Sequence, residues 1–276
     1  MSTLSLSACA AGADPTQTSR ADAPSAWPQA CEDWDEWDKP GPPFALAGTD
    51  SYYVGTCGIA AILIDSGDGL ILIDSGDGLI LIDSGTNEGA DMVLANIAAL
   101  GFDTAEVKLV LTSHEHFDHI GGMAKIQQAT GAKLVTSQAA AEVLNTGEVS
   151  PEDPQFGTID GVMPAKVGRI VGDGDVVELG DKRLVAIATP GHTHGALSWN
   201  WEGCDAEGQC RSFVYADSLS PVSSDSYGFS DHPDYVADLR KAIARAAPLA
   251  CDVLVTPTPR PAKCVKNCRR ATSPRA

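Results

Sequence analysis

Three of the six histidines in this 276-residue chain, His114, His116 and His119, fall within six consecutive positions, with Asp118 among them. An apolar run from Leu109 to Leu111 leads in and reads as a buried strand. Gly121 and Gly122 lead out, followed by a helix-like stretch from Met123 to Thr130. The cluster therefore occupies the loop at the C-terminal end of a strand, where open α/β sheets place their chemistry. Imidazole nitrogens with a carboxylate suit zinc, which takes N, S and O donors at roughly 2.0–2.3 Å. His114 and His116 are two apart, so on an extended loop both can face one metal; Asp118 and His119 follow the turn and can face a second.

The remaining pattern surrounds this loop with strands and helices in two successive sets. Ser51 to Ile64 reads as two strands around Gly55, Glu88 to Leu100 as a helix, Lys133 to Thr136 as a strand and Ala139 to Leu144 as a helix. Val176 to Leu179, Lys182 to Ala188, Leu197 to Trp201 and Phe213 to Ala216 read as strands. Tyr235 to Ala247 reads as a helix with Val236, Leu239, Ile243 and Ala246 inward, entered at His232. Strands then helices, given twice, fit an α/β fold of the αββα sandwich type with the site along the upper edge of the sheets. His192 ends the strand from Lys182 and is the natural third ligand beside His114 and His116; His194 is left between a supporting role and solvent. The irregular stretch from Asp153 to Lys166 is either a substrate wall or an ordinary surface loop.

The cluster resembles the signature of the metallo-β-lactamase superfamily, and the resemblance runs from about Trp34 to Pro257. It also rests on Tyr53-Val-Gly-Thr-Cys57, Leu81-Ile-Asp-Ser-Gly85, Gly191-His-Thr-His-Gly195, Tyr215-Ala-Asp-Ser-Leu-Ser220 and Cys251-Asp-Val-Leu-Val-Thr-Pro257. The Ala-Asp-Ser-Leu-Ser piece is similar to the third subclass of the class B β-lactamases. That resemblance implies zinc-dependent hydrolysis of the β-lactam amide bond of penicillins, cephalosporins and carbapenems by a metal-bound hydroxide. It implies a first zinc on His114, His116 and His192, and a second on Asp118 and His119, with Asp118 also orienting the hydroxide. Ser218 and Ser220 resemble the residues that bind the substrate carboxylate. Another hydrolase of the same fold, glyoxalase II-like or a lactonase, remains an alternative, with Asp217 offered as a bridging aspartate. No Ser-x-x-Lys nucleophile is present, which excludes a serine β-lactamase.

A net charge of −18 argues against nucleic acid as a partner. No apolar run is long enough for a membrane span. The expectation is a monomer acting on a small β-lactam molecule. Eight cysteines without a C-x-x-C pair fit disulfides in an oxidising compartment, here the periplasm. Cys204–Cys210 and Cys31–Cys57 resemble bridges of the subclass, although the sequence leaves the connectivity open. Residues 1–30 read as a leader and tether ahead of a 31–257 domain. Leu6-Ser-Ala-Cys9 resembles a lipoprotein box, so a lipid anchor at Cys9 is expected if the true start lies further upstream. No basic region or apolar stretch precedes it, and coincidence is the other reading.

Two features depart from the resemblance. Residues 65–73 repeat as 74–82, a nine-residue tandem duplication where one hairpin is needed; Asp68-Gly69 and Asp77-Gly78 are both hairpin signals. One copy is expected to loop out or extend the hairpin. The subclass places a second-site histidine directly after the Thr-Pro that ends the last strand, where this chain has Thr258. The 258–276 tail is basic, carries Cys264 and Cys268, and lacks the apolar periodicity of the expected C-terminal helix. Codons for its first eleven residues, read one base earlier, can spell His-Pro-Ser-Ala-Ser-Lys-Met-Arg-Glu-Lys-Leu, which suggests a one-base deletion near Pro257. The expectation is one tightly held zinc, a weakened second site and reduced activity. A zinc-binding but inactive product of a damaged gene is the further alternative.

Overall fold

The computed structural model describes residues 27–31, 36–67, 77–258 and 266–267. Among these, seven strands form one sheet in sequence order: β1 (Phe44–Ala45), β2 (Ser51–Tyr53), β3 (Ile62–Asp65), β4 (Leu79–Ile82), β5 (Val107–Leu111), β6 (Lys133–Thr136) and β7 (Val167–Ile170). Six form the other: β8 (Val176–Leu179), β9 (Lys182–Ala188), β10 (Leu197–Cys204), β11 (Cys210–Tyr215), β12 (Val253–Val255) and β13 (Lys266–Asn267). The helices are α1 (Trp27–Ala30), α2 (Gly89–Ala99), α3 (Phe117–Ile120), α4 (Met123–Thr130), α5 (Gln138–Thr146) and α6 (Pro233–Ala246).

The period-2 alternation of strand side chains divides the first sheet between two cores. Ile62, Ile64, Ile80, Ile82 and Leu111 pack with Leu184, Trp199, Phe213, Tyr215 and Val255 of the second sheet. Leu63, Leu79, Leu81 and Val110 face the opposite way, onto Val93 and Ile97 of α2, Met123 and Ile126 of α4, and Val143 and Leu144 of α5. On the far side α6 lies against the end of β9: a Cβ on Gly191 would meet Leu239 at 2.5 Å, and Arg245 donates to the carbonyl of Ala188. The result is the expected αββα sandwich.

The duplicated segment keeps the chain direction. β3 pairs antiparallel with β4, Ile62 opposite Ile82 and Ile64 opposite Ile80, and β4 then runs parallel to β5. In this pairing isoleucines meet isoleucines on one face and Leu63 meets Leu81 on the other. Asp77-Gly78 closes the described end of this hairpin, where Ser66 N–H donates to the Gly78 carbonyl. Asp68-Gly69, the rest of 68–76, Cys9 and most of the leader, and Cys264 and Cys268 with nearly all of the tail lie outside the described residues.

Two readings need correction. The strand β7 has no counterpart in the sequence pattern, because it is an exposed edge carrying Gly168 and no alternation. Ile243 is not inward: it is 44% exposed, and Leu239 and Ala242 form the buried face of α6.

Both expected disulfides are present, Cys31–Cys57 and Cys204–Cys210. The first closes a separation of 26 residues and ties α1 to the turn after β2; the second closes 6 residues. Loop-closure entropy assigns about 3.5 kcal/mol to the longer loop and about 2 kcal/mol to the shorter. Cys31→Ser with Cys57→Ser is therefore expected to lower Tm more than Cys204→Ser with Cys210→Ser. Calorimetry on the two double variants checks this order.

Candidate metal centre

The site forms where loops from both sheets meet at one edge. The loop after β5 carries His114 and His116, and α3 carries Asp118 and His119. The loop after β9 carries His192, and the loop after β11 carries Asp217, Ser218 and Ser220. Ligand atoms of His114, His116 and His192 lie within 4.8 Å of one another, and so do those of His114, Asp118 and His119. Neither group includes His194, which is exposed with its ring edge-on to Tyr235. His232 precedes α6 as expected and stacks on Tyr227.

Each first-group imidazole has one nitrogen held by an oxygen acceptor, which defines its tautomer. His114 Nδ1–H donates to Asp217 Oδ1 at 2.8 Å. His116 Nε2–H donates to Asp153 Oδ2 at 3.0 Å, and His192 Nδ1–H to the Ser220 carbonyl at 2.9 Å. The nitrogens on the other side are His114 Nε2, His192 Nε2 and His116 Nδ1, the last of which accepts a long contact from Gln155 Nε2 at 3.4 Å. His114 Nε2 is buried and has no hydrogen-bond partner, which in a native site calls for an ion or water. Burial, and then the neighbouring histidines, hold His114 well below the usual imidazole range; burial and His116 bring His192 to about 4. Neutral imidazoles are the form that binds zinc, so this donor set fits the metal.

Asp118 and His119 form the adjoining group. His119 Nδ1–H donates to Asp83 Oδ2 at 3.2 Å, and Nε2 faces Asp118 Oδ2 at 3.1 Å. Burial pushes Asp118 up, but His119 and His116 pull harder and leave it at about 2. Burial pushes His119 down, while Asp118 and Asp83 raise it to about 10. In the metal-free chain a proton occupies the place between them, and a cation entering there displaces it. Thr258 is exposed at the end of the described core, and among the described residues only His114 joins Asp118 and His119.

Four supporting residues were not identified as such from the sequence. Asp83, at φ 63°, accepts from Ser113 N, Ser113 Oγ, Tyr215 Oη and His119 Nδ1. Its place in the Leu-Ile-Asp-Ser-Gly motif was the available signal. Asp153 comes from the irregular loop after α5, and Asp217 lies directly before Ser218. Glu115 is buried next to His114 and His116 in the chain; burial raises its carboxyl above the usual range, and hydrogen bonds from Thr193 and Gly195 offset only part of that.

Residues 54–206 match the family described as the metallo-beta-lactamase superfamily. Among solved structures, the chain is similar to the MIM-2 metallo-β-lactamase, at 51% identity and TM-score 0.77 over 87% of this chain and 84% of that one. It is also similar to MEM-A1, a subclass B3 metallo-β-lactamase from a soil metagenome library, at 40% identity and TM-score 0.74 over 81% of each chain. Among curated relatives, a probable metallo-hydrolase of Burkholderia pseudomallei is 31% identical over 52% of this chain and 48% of its own length. A hydroxyacylglutathione hydrolase of Maricaulis maris is 31% identical over 40% of this chain and 34% of its own length. The chain thus spans less than half the length of either curated relative.

Proposed function

Because the chain belongs to the metallo-β-lactamase superfamily, we propose that it hydrolyses the β-lactam amide bond with zinc, at a rate limited by an incomplete second metal position. The observation that carries this reading is the convergence of three imidazoles on one point, each with its other nitrogen held by Asp217, Asp153 or the Ser220 carbonyl. Zinc held there supplies a Lewis acid that lowers the pKa of water to about 7. Asp118, held ionised by His119 and His116, would orient the attacking water. The Ser220 carbonyl is engaged by His192, which leaves the Ser220 hydroxyl, with that of Ser218, for the substrate carboxylate. Two disulfides support an oxidising compartment, and we place the protein in the periplasm.

The glyoxalase II-like reading needs Asp217 as a metal bridge. Here Asp217 Oδ1 accepts from His114 Nδ1, and the residue belongs to neither ligand group. The test is hydrolysis of nitrocefin against a thiolester by chain reconstituted with zinc. Nitrocefin turnover without thiolester turnover is expected, along with one zinc per chain after mild dialysis. The opposite substrate preference would overturn the reading, and two retained zinc ions would remove the proposed impairment.

A further inference from the structure

We infer that Glu115 is a positioning residue: its carboxylate clamps the loop bearing His192 onto the loop bearing His114 and His116, and so sets the three-nitrogen site. The inference rests on the metal-binding reading above. The two loops follow strands of different sheets, β5 and β9, so the geometry of the site depends on how the sheets are held at this edge. Glu115 spans that gap. Its Oε2 accepts from Thr193 Oγ1 at 2.7 Å and its Oε1 from Gly195 N–H at 2.8 Å. These partners lie one and three residues beyond His192. Glu115 and Thr193 are both buried, where leaving a polar partner unsatisfied costs most. The approach is close enough to require glycine, because a Cβ on Gly195 would meet Glu115 Oε2 at 2.5 Å and Ser137 Oγ at 2.5 Å.

The sheets keep other ties nearby. Leu197 N–H donates to the Ser113 carbonyl at 2.7 Å, and Trp199 Nε1–H to the Thr112 carbonyl at 2.9 Å. Loss of the carboxylate therefore loosens the His192 loop locally and leaves the sandwich docked. Glutamine can keep both contacts: its Oε1 accepts from Gly195 N–H, and its amide donates to the Thr193 hydroxyl, which can also accept.

The experiment titrates metal-free full-length chain with cobalt(II), read by visible absorption and by thermal shift. Glu115→Ala is expected to weaken the first cobalt by about 10–100-fold, the usual cost of losing support behind metal ligands. Glu115→Gln is expected to recover most of that loss. Alanine binding as tightly as the unmodified chain, or glutamine binding as weakly as alanine, overturns the clamp. Should Glu115→Ala fail to fold by circular dichroism, Thr193→Val against Thr193→Ser decides: weak binding by valine and tight binding by serine support it, and tight binding by valine overturns it. An unmodified chain that binds no cobalt brings down the metal reading itself, and the clamp with it. That outcome is distinct from equal binding across the variants.

Discussion

Replacing His116 with alanine is expected to abolish tight zinc binding and to lower hydrolysis by about 10³-fold or more. The Lewis acid contributes several kcal/mol to the transition state, and each 1.36 kcal/mol is about tenfold in rate. Two remaining imidazoles, His114 and His192, cannot close the tetrahedral shell zinc prefers. The same substitution has a second, metal-independent signature. Asp153 is buried, and its Oδ2 loses the His116 Nε2–H; an unsatisfied buried group of this kind costs about 1–3 kcal/mol or more. His192→Ala should also abolish tight binding but destabilise the metal-free chain less. The carbonyl it releases belongs to Ser220, which is exposed and can turn to water. Metal analysis after dialysis, with urea unfolding of the metal-free variants, separates the two effects. A His116→Ala chain that keeps one tight zinc contradicts the ligand assignment, and equal destabilisation by both variants contradicts the role given to Asp153.

The parts of this molecule that could be read from sequence are those whose signal is local. β6, β8, β9 and α4 have the boundaries their patterns predict, because each couples an apolar alternation or helical repeat to a clear turn. His114, His116, Asp118 and His119 were legible for the same reason, being four donor groups in six residues. His192 was legible because it ends a strand as they do. What could not be read was the oxygen on the other side of each ring. Asp153 is 37 residues from His116, Asp217 is 103 from His114, and Asp83 is 36 from His119. Asp217 reaches His114 only because the two sheets stack, and Asp83 and Asp153 reach theirs because β4, β5 and the loop after α5 end at one edge; no short window of sequence contains such pairs. Hydropathy puts Ile243 on the inward face of α6, but it cannot say which stripe of the helix meets the sheet. The smaller Ala242 is buried there in its place.

The second metal position is expected to bind about 10²-fold or more weakly than one completed by a third protein ligand. Structural zinc binding of 10–16 kcal/mol over four ligands gives roughly 3 kcal/mol per ligand, or about 10²-fold. Among the described residues, the C-terminal segment contributes nothing to Asp118 and His119. The backbone approaching that point is well held: Ala60 N–H donates to the Pro257 carbonyl at 2.8 Å, and Ala216 N–H to that of Val255 at 2.9 Å. Pro257 is buried, but Thr258 is exposed. An imidazole at 258 would start from a fixed point yet need the following residues to turn it inward. Thr258→His alone should therefore raise second-site affinity and nitrocefin hydrolysis only modestly, by severalfold. Thr258→His followed by Pro-Ser-Ala-Ser-Lys-Met-Arg-Glu-Lys-Leu should recover most of the deficit, while high zinc should partly rescue the unmodified chain. Calorimetric titration of the second zinc and hydrolysis rates across a zinc series measure both effects. If the unmodified chain, equally folded, already hydrolyses at the rate of the restored tail variant, the deficit attributed to Thr258 does not exist.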